Sequence, residues 1–293
     1  MKSLAAVVFL LFPLLVAAQP AALPSTDIYL YDLVVKARTV VLSNPRNVTP
    51  HAGYDNQPFF HATQPVLYYA AGAEGGRTDL RAYNYQTGAS QPLTATPERE
   101  YSPTLTEDQQ FLSCIIQRDN GQQDLGQYPV AGGPPTVLVD RLKVGYHAWA
   151  DPTHLLLIVL AGPTAELHYY DLATGRDSVL VRNSLRCPKR IPNQPAVSFL
   201  EKTPQGTWLI RRFDAQTKAI TTLAPGLDGS EDLAWTRKGQ MLMSNGERIY
   251  CRKPGARGRW QPVRMKGAVL PLKNATRLAL NPANNQLAVV VKE

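Results

Sequence analysis

The sequence predicts an all-β protein: a six-bladed β-propeller whose last blade is closed by two N-terminal plus two C-terminal strands. Three observations carry that prediction. A unit of about 45 residues recurs along the chain, and each copy reads as four short strands. The last copy is two strands short, while the N-terminal region holds two strands that belong to no other copy.

The residues ahead of the first strand read as a targeting segment. Lys2 precedes an uncharged apolar run at 4–18, and Val16-Ala17-Ala18 supplies the small residues a signal peptidase needs before Gln19. The run is shorter than the roughly 20 residues of a membrane span, and Pro13 interrupts it. The expectation is a cleaved signal at 1–18, a single propeller domain at 19–293, and export to the periplasm or the extracellular medium. Lys2 is the only charged residue before Thr26, so cleavage takes the formal charge from +8 to +7. Apart from 186–190 and 252–266, the Lys and Arg residues are scattered, and nothing resembles a nucleic-acid module. No later stretch has the length and apolarity of a transmembrane span. The three cysteines, Cys114, Cys187 and Cys251, leave one disulfide open without selecting its pair. Cys114 and Cys251 lie in apolar strand patterns and read as small buried hydrophobes.

The repeat is anchored at Pro58, within Asn56-Gln57-Pro58-Phe59-Phe60. Equivalent positions fall at Pro103, Ala148, Pro192, Ala234 and Ala279, at spacings of 45, 45, 44, 42 and 45. Internal periods of this length mark propellers and solenoids. A polar turn follows each anchor, as in Thr106-Glu107-Asp108-Gln109. Apolar, β-rich runs come next at 66–69, 111–116, 155–160, 196–200, 241–243 and 287–291. A third run ends at a turn such as Asp171-Leu172-Ala173-Thr174-Gly175, and a fourth alternates, as at 178–181 and 220–223. Short β-branched and aromatic runs between Gly, Asn, Asp and Pro are antiparallel strands joined by tight turns. One four-stranded sheet cannot bury both faces, so sheets at a constant period pack around an axis.

The chain ends complete the pattern. After Ala279 only two strands fit, at 277–281 and 286–291. Segment 31–44, beginning Tyr31-Asp32-Leu33, aligns without gaps to 170–183, beginning Tyr170-Asp171-Leu172, and both end in Asn. Residues 27–33 are therefore expected as the third strand of the last blade and 39–43 as its fourth. Such a closure removes an open sheet edge.

Tyr101-Ser102-Pro103, Thr236-Arg237-Lys238-Gly239 and Asp171-Leu172-Ala173-Thr174-Gly175 resemble the blade motifs of the TolB-like, WD40-like propellers of exported bacterial proteins. The likeness covers 27–293. It implies the fold and leaves the activity open, because fold alone does not confer function.

In a propeller the innermost strand of each blade lines the channel, and the loops entering those strands gather at one mouth. Two residues before the anchors stand Asn56, Tyr101, Tyr146, Arg190, Asp232 and Arg277, with Asp55, Glu100 and His147 beside them. This ring is the expected binding surface. Gly-x-Ser-x-Gly, His-Glu-x-x-His, an Asp-rich calcium loop and a Gly-rich phosphate loop are all absent. The expectation is a non-catalytic binding module without cofactor or metal, for an envelope or extracellular protein, peptide or glycan and not for nucleic acid. The alternative is a metal-dependent hydrolase or lyase, with His51, Asp55, Glu100, His147 and Asp232 as the source of ligands.

Overall fold

The computed structural model describes residues 23–37, 39–184, 186–255, 257–267 and 272–293. The expected signal segment and its cleavage point lie outside them. Apart from one short 3-10 turn at Glu74–Gly76, every regular element among the described residues is a β-strand.

The first strands among the described residues are β1 (Thr26–Val35) and β2 (Val40–Asn47), an antiparallel pair. A meander of β3 (Asp55–Phe60), β4 (Val66–Ala73), β5 (Arg77–Asn84) and β6 (Ser90–Pro92) follows. A second meander has β7 (Arg99–Leu105), β8 (Phe111–Gln117), β9 (Gln123–Pro129) and β10 (Thr136–Val139), and touches the first through one parallel bridge, Thr78 to Arg99. A four-stranded sheet of β11 (Val144–Trp149), β12 (His154–Ala161), β13 (Thr164–Asp171) and β14 (Asp177–Arg182) comes next. The following sheet holds β15 (Lys189–Arg190), β16 (Ala196–Lys202), β17 (Trp208–Asp214) and β18 (Ile220–Pro225). Another is made of β19 (Ala234–Trp235), β20 (Met241–Ser244), β21 (Ile249–Arg252) and β22 (Gln261–Pro262). After β23 (Arg264–Lys266) come β24 (Ala275–Leu280) and β25 (Gln286–Lys292).

β25 pairs with β24 on one side and with β1 on the other, from Thr26 opposite Lys292 to Asp32 opposite Gln286. The last sheet therefore runs β24-β25-β1-β2, with β23 parallel along the outside of β2. The segments expected to complete this sheet, 27–33 and 39–43, fall in β1 and β2, Thr39 lying just before β2.

Side chains alternate across a strand, and β1 uses both faces. Ile28 and Leu30 pack with Leu67, Tyr69 and Val290, while Tyr31 and Leu33 pack with Leu242, Ile249 and Val289. Full burial of an aliphatic side chain contributes ~1.5–3 kcal/mol. Further apolar clusters lie between each pair of successive sheets. Trp149 Nε1 donates to Ser113 Oγ at 2.9 Å, and Trp235 Nε1 donates to Ser198 Oγ at 2.8 Å, so each indole reaches the preceding sheet.

One register differs from the expected repeat. The turn between first and second strands closes with equivalent backbone bonds, including His61 N–H to Val66 O, Thr106 N–H to Phe111 O and Ile191 N–H to Ala196 O. The spacing places Pro192 on an inner strand, but it sits inside this turn, just ahead of Asn193 at φ 60°. Proline lacks an N–H to give a ladder, and asparagine tolerates positive φ, so both suit the turn. β15, like β19, is two residues long.

Candidate functional site

The inner strands enclose an axial cavity of about 210 Å³, lined by β3, β7, β11, β15, β24 and the segment before β19. It opens at both ends. Where the inner strands begin, a mouth of about 480 Å³ is lined by Tyr54, Asn56, Tyr101, Tyr146, Arg186 and Arg277, with Gln57, Gln117 and Gln123 around them. Leu23 and Pro24, ahead of β1, border it. At the opposite end a wider mouth of about 770 Å³ is lined by Phe59, Phe60, Trp235 and Leu280, with Pro58, Pro192 and Pro282 and the cations Lys189, Arg190 and Arg237.

The tyrosine mouth is organised around Arg277. Its guanidinium donates to Tyr146 Oη at 3.0 Å and lies 5.3 Å from the centre of that ring. Tyr54 and Tyr101 meet edge to face, 6.3 Å between centroids. Burial pushes the Tyr146 phenol up, but the charges of Arg277 and Arg186 outweigh it and hold it below the ordinary tyrosine value. Tyr54, also beside Arg277, is held well above that value by burial. Arg186 makes a salt bridge with Glu231 at the rim. Among the described residues, no carboxylate, imidazole or thiol side chain lines the mouth itself.

The nine residues expected at one mouth divide by strand alternation. Asn56, Tyr101, Tyr146 and Arg277 line the tyrosine mouth. Their neighbours Asp55, Glu100 and His147 point to the other face of the strand and are buried. Glu100 accepts hydrogen bonds from Thr96 at 2.5 Å, Tyr128 at 2.8 Å and Thr94 at 3.3 Å. Burial nonetheless raises its carboxyl above the usual range. His147 Nε2 lies 2.7 Å from Ser113 Oγ, and burial pulls the imidazole down to about 3, which keeps it neutral. His147 and Asp232 reach the axial cavity, and Asp232 accepts the Leu278 N–H at 2.8 Å. Asp55 is fully buried, 3.5 Å from His51.

Arg190 is displaced from the expected ring. Because Pro192 lies in the turn, Arg190 sits lower on its strand, lines the axial cavity and the opposite mouth, and pairs with Glu107 at 3.3 Å. Arg186, five residues before the turn residue Ile191 as Asn56 is before His61 and Tyr101 before Thr106, takes the equivalent position and lines the tyrosine mouth, while Cys187, at φ 86°, matches Gln57 and Ser102. The polar turn Pro192-Asn193-Gln194-Pro195 before the run at 196–200 was the sequence signal for that register. Tyr54 was also missed, although it stands two residues from Asn56 on the same strand face.

The residues considered as metal ligands do not converge. Glu100, His147 and Asp232 each have separate partners, and the described residues contain no cluster of three His, Cys, Asp or Glu side chains placed to hold an ion. The three cysteines are buried and free.

Among solved structures, a TolB-like protein from Agrobacterium tumefaciens superposes with a TM-score of 0.66 at 12% identity, over 93% of this chain and 99% of its own. The fold is that of the TolB-like β-propellers. A chain of the nidogen/laminin complex gives 0.57 at 10% identity, over 78% of this chain and 89% of its own. Oligogalacturonate lyase from Vibrio parahaemolyticus gives 0.50 at 13% identity, over 92% and 98%. The TolB-like fold thus occurs in a complex-forming protein and in an enzyme, so the residues at the mouth must carry the functional argument. No family model matches the chain, and no curated protein matches it in sequence. No helix among the described residues is long and apolar enough to cross a membrane.

Proposed function

We propose that the chain is an exported, non-catalytic binding module. In this reading a signal at 1–18 is removed, and 19–293 form a closed six-bladed propeller. The tyrosine mouth is presented to a protein, peptide or glycan of the envelope or the extracellular medium. The recurring four-stranded meanders and the antiparallel β1–β25 pair support the closed ring of six.

One observation carries the binding reading: three tyrosines and two arginines line a single mouth that, among the described residues, no carboxylate, imidazole or thiol side chain shares. Phenols and amides hydrogen-bond while their flat faces stack, and a rigid sheet scaffold loses little conformational entropy on association. Arg277 and Arg186 fit a partner that presents a negative group.

The test is titration of peptide and glycan array hits against purified protein. Tyr101→Ala with Tyr146→Ala is expected to weaken binding by at least about tenfold, the scale of a well-packed aromatic anchor. Arg190→Ala with Arg237→Ala, at the opposite mouth, should leave the same hits bound. The reverse pattern would move the site to the opposite mouth and overturn the proposal.

A further inference from the structure

At one position the repeat reverses its own chemistry. In three sheets an Asn or Asp ends the third strand opposite the start of the second: Asn84 opposite Val66, Asp171 opposite His154, Asp214 opposite Ala196; Pro129 stands there in the β7–β10 sheet. Each of these three side chains accepts two backbone N–H groups of the turn that follows. That local bonding satisfies a tight turn from within. In the β19–β22 sheet the residue opposite Met241 is Arg252. A guanidinium carries five donors and no acceptor, so it cannot cap such a turn.

The connection after Arg252 is rebuilt around it. Gly255 adopts φ +111°, and a Cβ at Gly258 would stand 2.5 Å from Lys253 O and 3.2 Å from Arg252 Nε. Arg252 is only 7% exposed. One terminal nitrogen donates to Gly255 O at 3.2 Å, but Nε has no hydrogen-bond partner among the described residues. A buried cation with an orphaned donor is costly unless something compensates it. Lys253, Arg257 and Arg259 surround it, and the four cations line a cavity of about 420 Å³ to which the described residues bring no carboxylate. Within the described residues none of the four forms an ion pair. No residue of the axial cavity or of either mouth lines it.

We propose that this cavity binds a phosphomonoester, with Arg252 at its base and Lys253, Arg257 and Arg259 at its rim. A carboxylate is satisfied by one bidentate arginine, whereas a phosphomonoester carries about −1.5 to −2 at neutral pH and three acceptor oxygens. Four converging cations with no acid match the second group. The phosphate belongs either to a soluble metabolite or sugar or to a lipid headgroup, and the two sources separate by experiment.

Glycerol 3-phosphate is titrated calorimetrically at constant ionic strength, with acetate as the control anion. In parallel, the protein is sedimented with phosphatidylcholine vesicles, with and without phosphatidic acid. Saturable heat from glycerol 3-phosphate assigns the site to soluble phosphomonoesters; sedimentation only with phosphatidic acid assigns it to the headgroup. In either arm Arg257→Ala with Arg259→Ala is expected to cut affinity about tenfold or more. Arg252→Met should abolish the phosphate-induced rise in melting temperature while leaving the ligand-free protein as stable as wild type or more so, because a buried unpaired charge is removed. If Arg252→Met does not fold, the rim variant decides alone. Absence of saturable binding in both arms, binding of acetate equal to that of glycerol 3-phosphate, or wild-type affinity in the rim variant would overturn the assignment.

Discussion

Asp55 and Asn56 are consecutive, yet one is sealed between sheets and the other lines a mouth. Among the described residues, both oxygens of the Asp55 carboxyl lack hydrogen-bond partners. Burial, reinforced by Asp27 and opposed by His51, raises it from 3.8 to about 7. Below pH 3.8 the group is protonated in both folded and unfolded chains. Between 3.8 and about 7 the unfolded chain gives up a proton that the folded chain keeps, so the contribution of Asp55 to stability falls as pH rises through that window. Asp55→Asn is expected to remove this fall. Urea unfolding should show the variant more stable than wild type by about 4 kcal/mol at pH 8 and nearly equal at pH 4, since each tenfold difference in proton affinity between the two states is worth ~1.4 kcal/mol. A variant less stable at pH 8 would show that the ionised carboxylate has compensating contacts.

At the scale of the element, the inner strands are tied to the preceding sheet by paired indole and hydroxyl groups. Ser113 Oγ donates to Thr104 O and accepts from Trp149, and His147 shares the same hydroxyl. In the equivalent Ser198–Trp235 pair, Leu233 stands where His147 does, one residue before the anchor alanine. His147→Leu should therefore change stability by less than about 1 kcal/mol, while Ser113→Ala, which leaves buried donors unpaired, should cost ~2 kcal/mol. Denaturant unfolding of the two variants checks the order. The repeat spacing and strand grammar made most of these elements legible in the sequence. They failed at β15, because a proline was matched to a strand anchor when its neighbours spelled a turn. That single shift exchanged Arg190 for Arg186 at the tyrosine mouth.

For the whole molecule, the β1–β25 pair brings the described chain ends together, with Glu293 N–H donating to Ser25 O at 3.2 Å. A circular permutant that links residue 293 to residue 25 and opens the chain at Gly132–Gly133, an exposed hairpin turn, is expected to fold cooperatively and melt close to wild type. Deletion of 286–293 should instead abolish the cooperative melt, because it removes Leu287, Ala288, Val289 and Val290 from two cores and leaves β1 unpaired on the side that β25 covers. Differential scanning calorimetry distinguishes the two. Cooperative melting of the truncated chain would contradict the role assigned to this pair.

The sequence by itself determined the all-β class, the four-strand repeat and the sharing of one sheet by strands from both chain ends. Those features follow from local periodicity and turn chemistry, which each segment carries in its own residues. Only the tertiary structure decided which side chains reach a common space. Period-two alternation turned Asp55, Glu100 and His147 away from Asn56, Tyr101 and Tyr146, and packing gathered Arg277, Arg186 and Tyr146 from different sheets. The orphaned Nε of Arg252 was likewise invisible in the sequence, because an unmet hydrogen bond is a property of everything around a group and not of the group alone.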